Sequence, residues 1–372
     1  MVDKMAAFFP RGKISHQIFS VLRRRLSTVA AAEKPTTTQK GIPFIVPRHT
    51  IKKALIVHPK SRAFQPSLKH QWLTKTILNQ GLPESCLENS NLFPEEIQKS
   101  VDIFQSSLIQ QLGFQKELKK HKTNFEEEVK LGIFQDILRI CWGFSNKCSR
   151  LRESFLDVSP KIHTHWVRGH EFCQLVYHPD LVLWTNEPNV IYKKDIESTI
   201  ETSLPGPYDS YSQGLFQHPI VHLRNFPGFQ PGRNNPFPHS HTIFLSEVSN
   251  QTIDQIHAYG IMNMFGVLVS KAISDGNFVG QHLGTPLTTQ CVITNGTEVV
   301  LMCYQLNTLS LQEDHGIKNL AWSSEKMNFF TSPEKNDSED RSIKLYGSFD
   351  TRKDCPTINE KCIQNLLAFI CN

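Results

Sequence analysis

Gln290-Cys-Val-Ile-Thr294, then Asn295-Gly296, then Val299-Val-Leu-Met-Cys-Tyr-Gln-Leu306 reads as two β-strands and the turn joining them. Both runs are β-branched or apolar, and Asn-Gly accepts positive φ at low cost, so the spacing predicts a tight hairpin. Upstream, Ile256 to Ile273 is apolar nearly all round, which predicts a helix buried on every side. Four short β-prone runs come before it, separated by Pro, Gly and Asn: Phe172–Tyr177, Leu181–Trp184, Ile220–Leu223 and Thr242–Leu245. Earlier still the period changes. Pro94-Glu95-Glu96 looks like a helix start, with Ile97, Val101, Phe104, Leu108 and Leu112 following at spacings of three and four. A second helical pattern carries Phe125, Val129, Ile133, Ile137 and Cys141, with Glu126 and Lys130 spaced to pair. Residues 331–342 are polar and predict an exposed loop. Cys362, Ile363, Leu366, Leu367 and Ile370 form a closing helical stripe. Helices first and strands later, without strict alternation or internal repeat, predict an α+β fold. Its expected form is a helical N-terminal half (84–150), a mainly antiparallel β-containing body (160–350) and an extended basic N-terminal arm.

The arm is predicted from charge. The chain has 372 residues and a net charge of +5, yet Lys34 to Pro83 holds nine Lys or Arg and no Asp or Glu. Residues 84–372 sum to −8, so a basic front is joined to an acidic body. Such a body is repelled by phosphate, and any nucleic-acid contact belongs to the front. Pro35, Pro43, Pro47, Pro59 and Pro66 punctuate the stretch and disfavour burial. The candidate phosphate-binding residues are Lys40, Arg48, Lys52, Lys53, Lys60, Arg62 and Lys69, on an arm at 33–69 that precedes a body at 70–372. Residues 1–32 are Arg-rich and almost acid-free, and Ile14, Ile18 and Leu22 repeat at helical spacing. That is the pattern of a mitochondrial presequence, with Arg23-Arg24-Arg25-Leu26-Ser27 like the run before a matrix-protease cut.

Nine irregularly spaced cysteines argue against a disulfide framework and for a reducing compartment. The longest mostly apolar run, Ala258 to Val269, is shorter than a bilayer span requires. Asn250-Gln-Thr252 and Asn295-Gly-Thr297 match the glycosylation pattern but would be idle in the matrix. No Gly-x-Ser-x-Gly, HExxH, GxGxxG or GxxxxGK[ST] motif occurs, which leaves nucleophile-elbow, zincin, dinucleotide and P-loop chemistry unsupported. His163, His165 and His170, with His239-Ser240-His241, are the candidate metal ligands. Without a Cys-x-x-Cys they read more readily as hydrogen-bonded turn or surface residues. Trp166 and Arg168 could stack on and pair with RNA, or form a core Trp beside a solvated Arg. Tyr304–Thr308 and Lys318–Trp322 could present polar groups to a partner, or serve as strand ends and turns.

Several motifs together carry a resemblance. His70-Gln-Trp-Leu-Thr-Lys-Thr-Ile-Leu-Asn-Gln-Gly-Leu-Pro-Glu84 resembles the LTKT…GLPE segment of a metazoan mitochondrial ribosomal family. That family is the large-subunit protein thirty-seven family, with its paralogous programmed-cell-death-nine (large-subunit protein sixty-five) type. Phe229-Gln-Pro-Gly232 with Pro236–Leu245, and Gln305-Leu-Asn-Thr308 with Gly316-Ile-Lys-Asn-Leu-Ala-Trp322, are similar to the thirty-seven type. Trp166-Val-Arg-Gly169, Val292–Gly296 and Cys303–Leu309 resemble the paralogue more closely. The likeness runs in islands over about 70–322. Before residue 70 a basic arm stands where the thirty-seven type has an aromatic, Pro-rich segment. The resemblance implies a non-catalytic constituent of the mitochondrial large ribosomal subunit, without a cofactor, in the matrix. It further implies contacts with large-subunit rRNA and with other mitochondrial ribosomal proteins, the paralogue among them, and no membrane span. Two other classes remain open on the residues alone: a matrix metal-dependent hydrolase or nuclease using the His clusters, and a protein-only matrix adaptor.

Overall fold

The computed structural model describes residues 52–60, 63–86, 97–107, 125–143, 149–209, 214–220, 224–229, 235–246, 251–331 and 357–372. All lie in one compact unit, residues 51–372. The presequence, most of the arm and residues 332–342 of the predicted polar loop lie outside the described residues. So do Pro94–Glu96, Leu108 and Leu112, along with the side chains of the Glu126–Lys130 pair.

The quoted hairpin is the centre of an eight-stranded sheet. Its strands are β2 (Thr76–Gln80), β3 (Ser154–Val158), β6 (Leu181–Thr185), β9 (His239–Ser246), β10 (His282–Thr294), β11 (Glu298–Thr308), β12 (Asn319–Ser323) and β13 (Met327–Asn328). They run in the order β2-β12-β11-β10-β9-β6-β3, with β13 beside β11. Most pairs are antiparallel, as expected, but β10 lies parallel to β9 and β12 parallel to β2. The turn is longer than the two-residue form expected from Asn-Gly. Thr294 pairs with Val299, and of the turn residues only Gly296 has positive φ. Asn295 Oδ1 organises the loop by accepting from the amides of Thr297 and Glu298 and from the Thr297 hydroxyl.

A second, five-stranded sheet contains β1 (Lys52–Val57), β4 (Ile162–Arg168), β5 (Glu171–Tyr177), β7 (Gln217–Ile220) and β8 (Phe226–Pro227), ordered β7-β1-β5-β4-β8. Between the sheets runs the predicted all-round apolar helix, at Ile253–Ser274. Counting helices in chain order, α1 is Pro66–Leu73, α2 covers residues 97–107, α3 is Phe125–Gly143, α4 is Ser149–Arg152, α5 is this central helix and α6 is Glu360–Ile370. Thr252 caps α5 through a reciprocal box. Its hydroxyl accepts from the Gln255 amide, and the Gln255 side chain accepts from the Thr252 amide. Two glycines let α5 approach both sheets. A Cβ on Gly260 would collide with Met302 of β11, and one on Gly266 would lie 2.7 Å from Leu175 of β5. By length and composition α5 is apolar enough to cross a membrane, and longer than the run read from sequence. Yet 94% of its apolar window is buried between the sheets.

Alternation along the large sheet then explains its near-continuous apolar strands. Val182, Trp184, Ile243, Leu245, Cys291, Ile293, Val300, Met302 and Tyr304 point to α5. Leu181, Leu183, Phe244, Val292, Val299, Leu301 and Cys303 point to the opposite face, covered by α2, α3, α4 and α6. Both faces are buried, so each strand needs apolar residues at every position. The order of layers is small sheet, α5, large sheet, outer helices. Helix α6 matches its predicted stripe, since Cys362, Ile363, Leu366, Leu367 and Ile370 are all buried and Asn359 caps its start by accepting from the Cys362 amide. In α3, Ile133, Ile137 and Cys141 are buried as their spacing predicts.

Candidate nucleic-acid interface and the motif network

The structure divides the seven candidate cations. Lys40, Arg48 and Arg62 lie outside the described residues. Lys52 opens β1, and Lys53 follows it with an exposed side chain. Lys60 is exposed, its ammonium 5.1 Å from the Tyr259 ring centroid, a cation–π seat at the end of α5. Lys69 is a correction. It sits in α1 and is 8% exposed, so it belongs to the interior rather than to a phosphate. The arm boundary moves as well. Residues 52–57 are an internal strand, pairing parallel with β5 and antiparallel with β7, and Leu55 and Val57 enter the core. Folded structure therefore already includes Lys52–Val57, ahead of the expected start at 70.

Trp166 and Arg168 are also interior. Trp166 is fully buried, meets Phe265 edge to face at 5.0 Å, and donates its indole N–H to the Leu73 carbonyl. The Arg168 guanidinium lies 4.3 Å from the Trp72 ring centroid, donates to the Leu311 carbonyl at 2.8 Å, and pairs with Asp314. Neither is placed to stack on RNA.

Arg168 is one of three cations, from three different motifs, that are turned onto backbone carbonyls. Lys75, from Leu73-Thr-Lys-Thr76, donates to the Ser310 carbonyl. Lys318, from Gly316-Ile-Lys-Asn-Leu-Ala-Trp322, donates to the carbonyls of Thr199, Ile200 and Gly316 at 2.9–3.0 Å. Burial, with Arg168 and Lys318 nearby, brings the Lys75 ammonium down to about 8. These cations saturate carbonyl oxygens that a folded loop would otherwise leave unpaired. Beside them, Asn319 ties three strand ends together. Its Nδ2 donates to the Thr74 carbonyl and its Oδ1 accepts from the amides of Asn307 and Thr308. Asn307 Nδ2 donates to the Lys318 carbonyl, Gln305 brackets both backbone groups of Lys193, and the hydroxyls of Thr74, Thr76 and Tyr304 form a chain. The polar motif residues thus hold the β2–β12–β11 edge together and offer little to a partner.

The histidines are distributed likewise. His163 accepts from Gln174 Nε2 at 2.7 Å, His165 meets the Arg224 carbonyl, and His241 meets the Thr242 hydroxyl. Among the described residues no three His, Cys, Asp or Glu side chains gather as a metal site. Two imidazoles set a pH dependence. Burial holds His70, which donates to the Ala258 carbonyl, near 4, and His241 near 3. Both pKa values lie below that of the unfolded chain, so the unfolded state binds more protons on acidification. The stability they lend is full above about pH 6.5 and lost as pH falls toward 4. Thermal melts should show stability dropping by on the order of 2 kcal/mol per imidazole by pH 5. His70→Asn should flatten that slope; an unchanged slope would place the loss elsewhere.

One surface escaped the sequence reading. On the five-stranded sheet, Leu55, Trp166, Cys173 and Leu175 face α5, so alternation turns Ile56, Phe172 and Val176 outward, where they are exposed. Gln174, between His165 and Ile56 in register, and His163, opposite Val176, share that outer face. Burial, and then Lys161, His165 and Arg224, lower the His163 pKa, so the positive charges beside this face favour an uncharged ring. His163 and Gln174 are themselves buried, so what this face exposes is the apolar set Ile56, Phe172 and Val176, suited to docking against another macromolecule. The β5 sequence hides it because both of its faces carry apolar residues.

A family model described as mitochondrial 28S ribosomal protein S30 (PDCD9) matches residues 21–177 and 222–372. The chain is 27% identical over 297 residues to a chicken (Gallus gallus) protein named large ribosomal subunit protein mL37, covering 77% of this chain and 68% of that protein. Proteins of the same name from Rattus norvegicus and Bos taurus are 24% and 25% identical. Those matches cover 74% and 72% of this chain, and 66% and 64% of the relatives' own length. The chain therefore spans about two thirds of the relatives it matches.

Proposed function

The chain belongs to the PDCD9 family of mitochondrial ribosomal proteins, and from that membership we propose that it is a structural constituent of the mitochondrial large ribosomal subunit in the matrix. The family description carries a 28S name, whereas the curated relatives carry a large-subunit name. The relatives match across roughly three quarters of the chain, and the large subunit is the reading adopted. The observation that carries a scaffold role is the use made of the signature motifs. Lys75, Arg168, Lys318, Asn307 and Asn319 are all engaged with backbone groups inside the protein. A signature of that kind specifies a rigid shape, which is what a non-catalytic ribosomal component supplies.

Within this reading the chain has two contact surfaces. The basic arm, now 33–51 with Lys53 and Lys60 at the edge of the folded body, follows rRNA phosphates without reading sequence. The outer face of the five-stranded sheet, with Ile56, Phe172 and Val176 exposed, meets a neighbouring ribosomal protein, the paralogous type being the candidate. The test is co-sedimentation with large subunits. Replacing Lys40, Arg48, Lys53 and Lys60 together by Ala should release the protein from subunits as salt rises. The slope of log affinity against log salt for an RNA fragment should fall by about 3. Phe172→Glu should weaken subunit association while leaving that slope unchanged. Full retention of the quadruple variant at every salt concentration would defeat the arm assignment.

A further inference from the structure

Cys86 ends a short turn at residues 84–86, just after β2, where its amide donates to the Pro83 carbonyl. Cys303 lies in mid-strand on β11, paired with Gln290 of β10 on one side and Trp322 of β12 on the other. The two are 217 positions apart, yet their sulfurs stand 3.1 Å from each other. That is closer than two sulfur radii allow for ordinary packing. Both are free thiols and both are fully buried on the outer-helix face of the large sheet. Tyr192 lies nearby, its hydroxyl directed to the Thr289 carbonyl.

We propose that Cys86 and Cys303 are a redox pair that closes to an intramolecular disulfide when the protein meets a peroxide. The roles differ because the mobilities differ. Cys303 is fixed by strand pairing on both sides, and burial together with Cys86 raises its pKa well above the ordinary thiol range. Cys86 rides on one short turn, the kind of element that opens locally at low cost. On opening, the Cys86 thiolate attacks one peroxide oxygen, breaking the O–O bond and leaving as its products a sulfenic acid and, after protonation, water. Reclosure returns that sulfur to Cys303. The Cys303 sulfur attacks it, the S–S bond forms, and the departing hydroxide takes the Cys303 proton as a second water. Two thiols are oxidised and one peroxide is reduced, with no other reactant. The product staples the turn that follows β2 to the centre of the sheet, and its burial shields it from soluble thiols. This inference is independent of the ribosomal reading.

The experiment uses the full-length protein with dilute hydrogen peroxide, maleimide quenching, denaturation, and non-reducing proteolysis read by mass spectrometry. The expected result is a Cys86–Cys303 linked peptide, lost on reduction after unfolding, with Tm raised by a few degrees in the oxidised sample. Cys86→Ser should abolish both the peptide and the peroxide-dependent shift while folding normally. Recovery of Cys86 and Cys303 of the oxidised wild type as separate maleimide adducts would overturn the proposal. So would linkage of either one to a different cysteine. The wild-type readout stands even if the variant does not fold.

Discussion

Asn319→Leu should lower the unfolding free energy by about 3–5 kcal/mol, measured by urea denaturation of the purified protein. The side chain is fully buried and satisfies three backbone groups: the Thr74 carbonyl and the amides of Asn307 and Thr308. Leucine has the same branched skeleton and leaves no cavity, so the loss combines the orphaned polar groups with the strain of its bulkier methyls. Each orphaned buried group costs about 1–3 kcal/mol, and those three come from two chain segments far apart in sequence, residue 74 and residues 307–308. Asn319→Asp should be damaging too, because a carboxylate accepts from the two amides but cannot donate to Thr74 and would be buried without a cation partner at that atom. A loss below about 1 kcal/mol for the leucine variant would show that water or backbone shifts replace the asparagine. The motif network would then not be the element that holds this edge.

Trp166→Ala carries the second large effect, about 3–5 kcal/mol, as expected for removing a fully buried aromatic that packs on Phe265. Trp166→Phe keeps a ring against Phe265 and loses chiefly the bond to the Leu73 carbonyl, so it should cost about 1–2 kcal/mol. Binding of the phenylalanine variant to an rRNA fragment should match wild type, since Trp166 reaches no solvent. A selective loss of RNA affinity with normal stability would restore the stacking role that the sequence left open.

What could be read in advance follows from how strongly each segment is over-determined. Helix α5 was legible because eighteen residues from Ile256 to Ile273 carry almost no charge, and only a position between two apolar layers tolerates that. The hairpin was legible because Asn295-Gly296 interrupts two β-prone runs, although the structure uses the Asn295 side chain to build a wider loop. Strand β1 was not legible. Ala54-Leu-Ile-Val57 is a plain strand run, but Lys52, Lys53, Pro59 and the absence of acids around it made the region read as an arm. Lys69 was misplaced for the same reason, since a charge count cannot show that a helix carries its lysine inward. The parallel pairing of β2 with β12 left no local trace, because register between segments over 240 residues apart is set by packing alone. As for the candidate interface, its basic half was visible as composition. Its apolar half was not, because Phe172 and Val176 alternate with Cys173 and Leu175 and nothing in the residue types says which pair faces out.

The β2–β12 pairing also bears on when this protein can fold. Strand β2 finds its neighbour only when residues 319–323 exist, and the helix that seals the far face of the large sheet is the last in the chain. Contacts of such long sequence separation make folding slow and leave no stable early fragment. A chain emerging in order from its N-terminus must therefore wait for residues 319–323 to pair β2 and for residues 360–370 to complete the cover of the outer face.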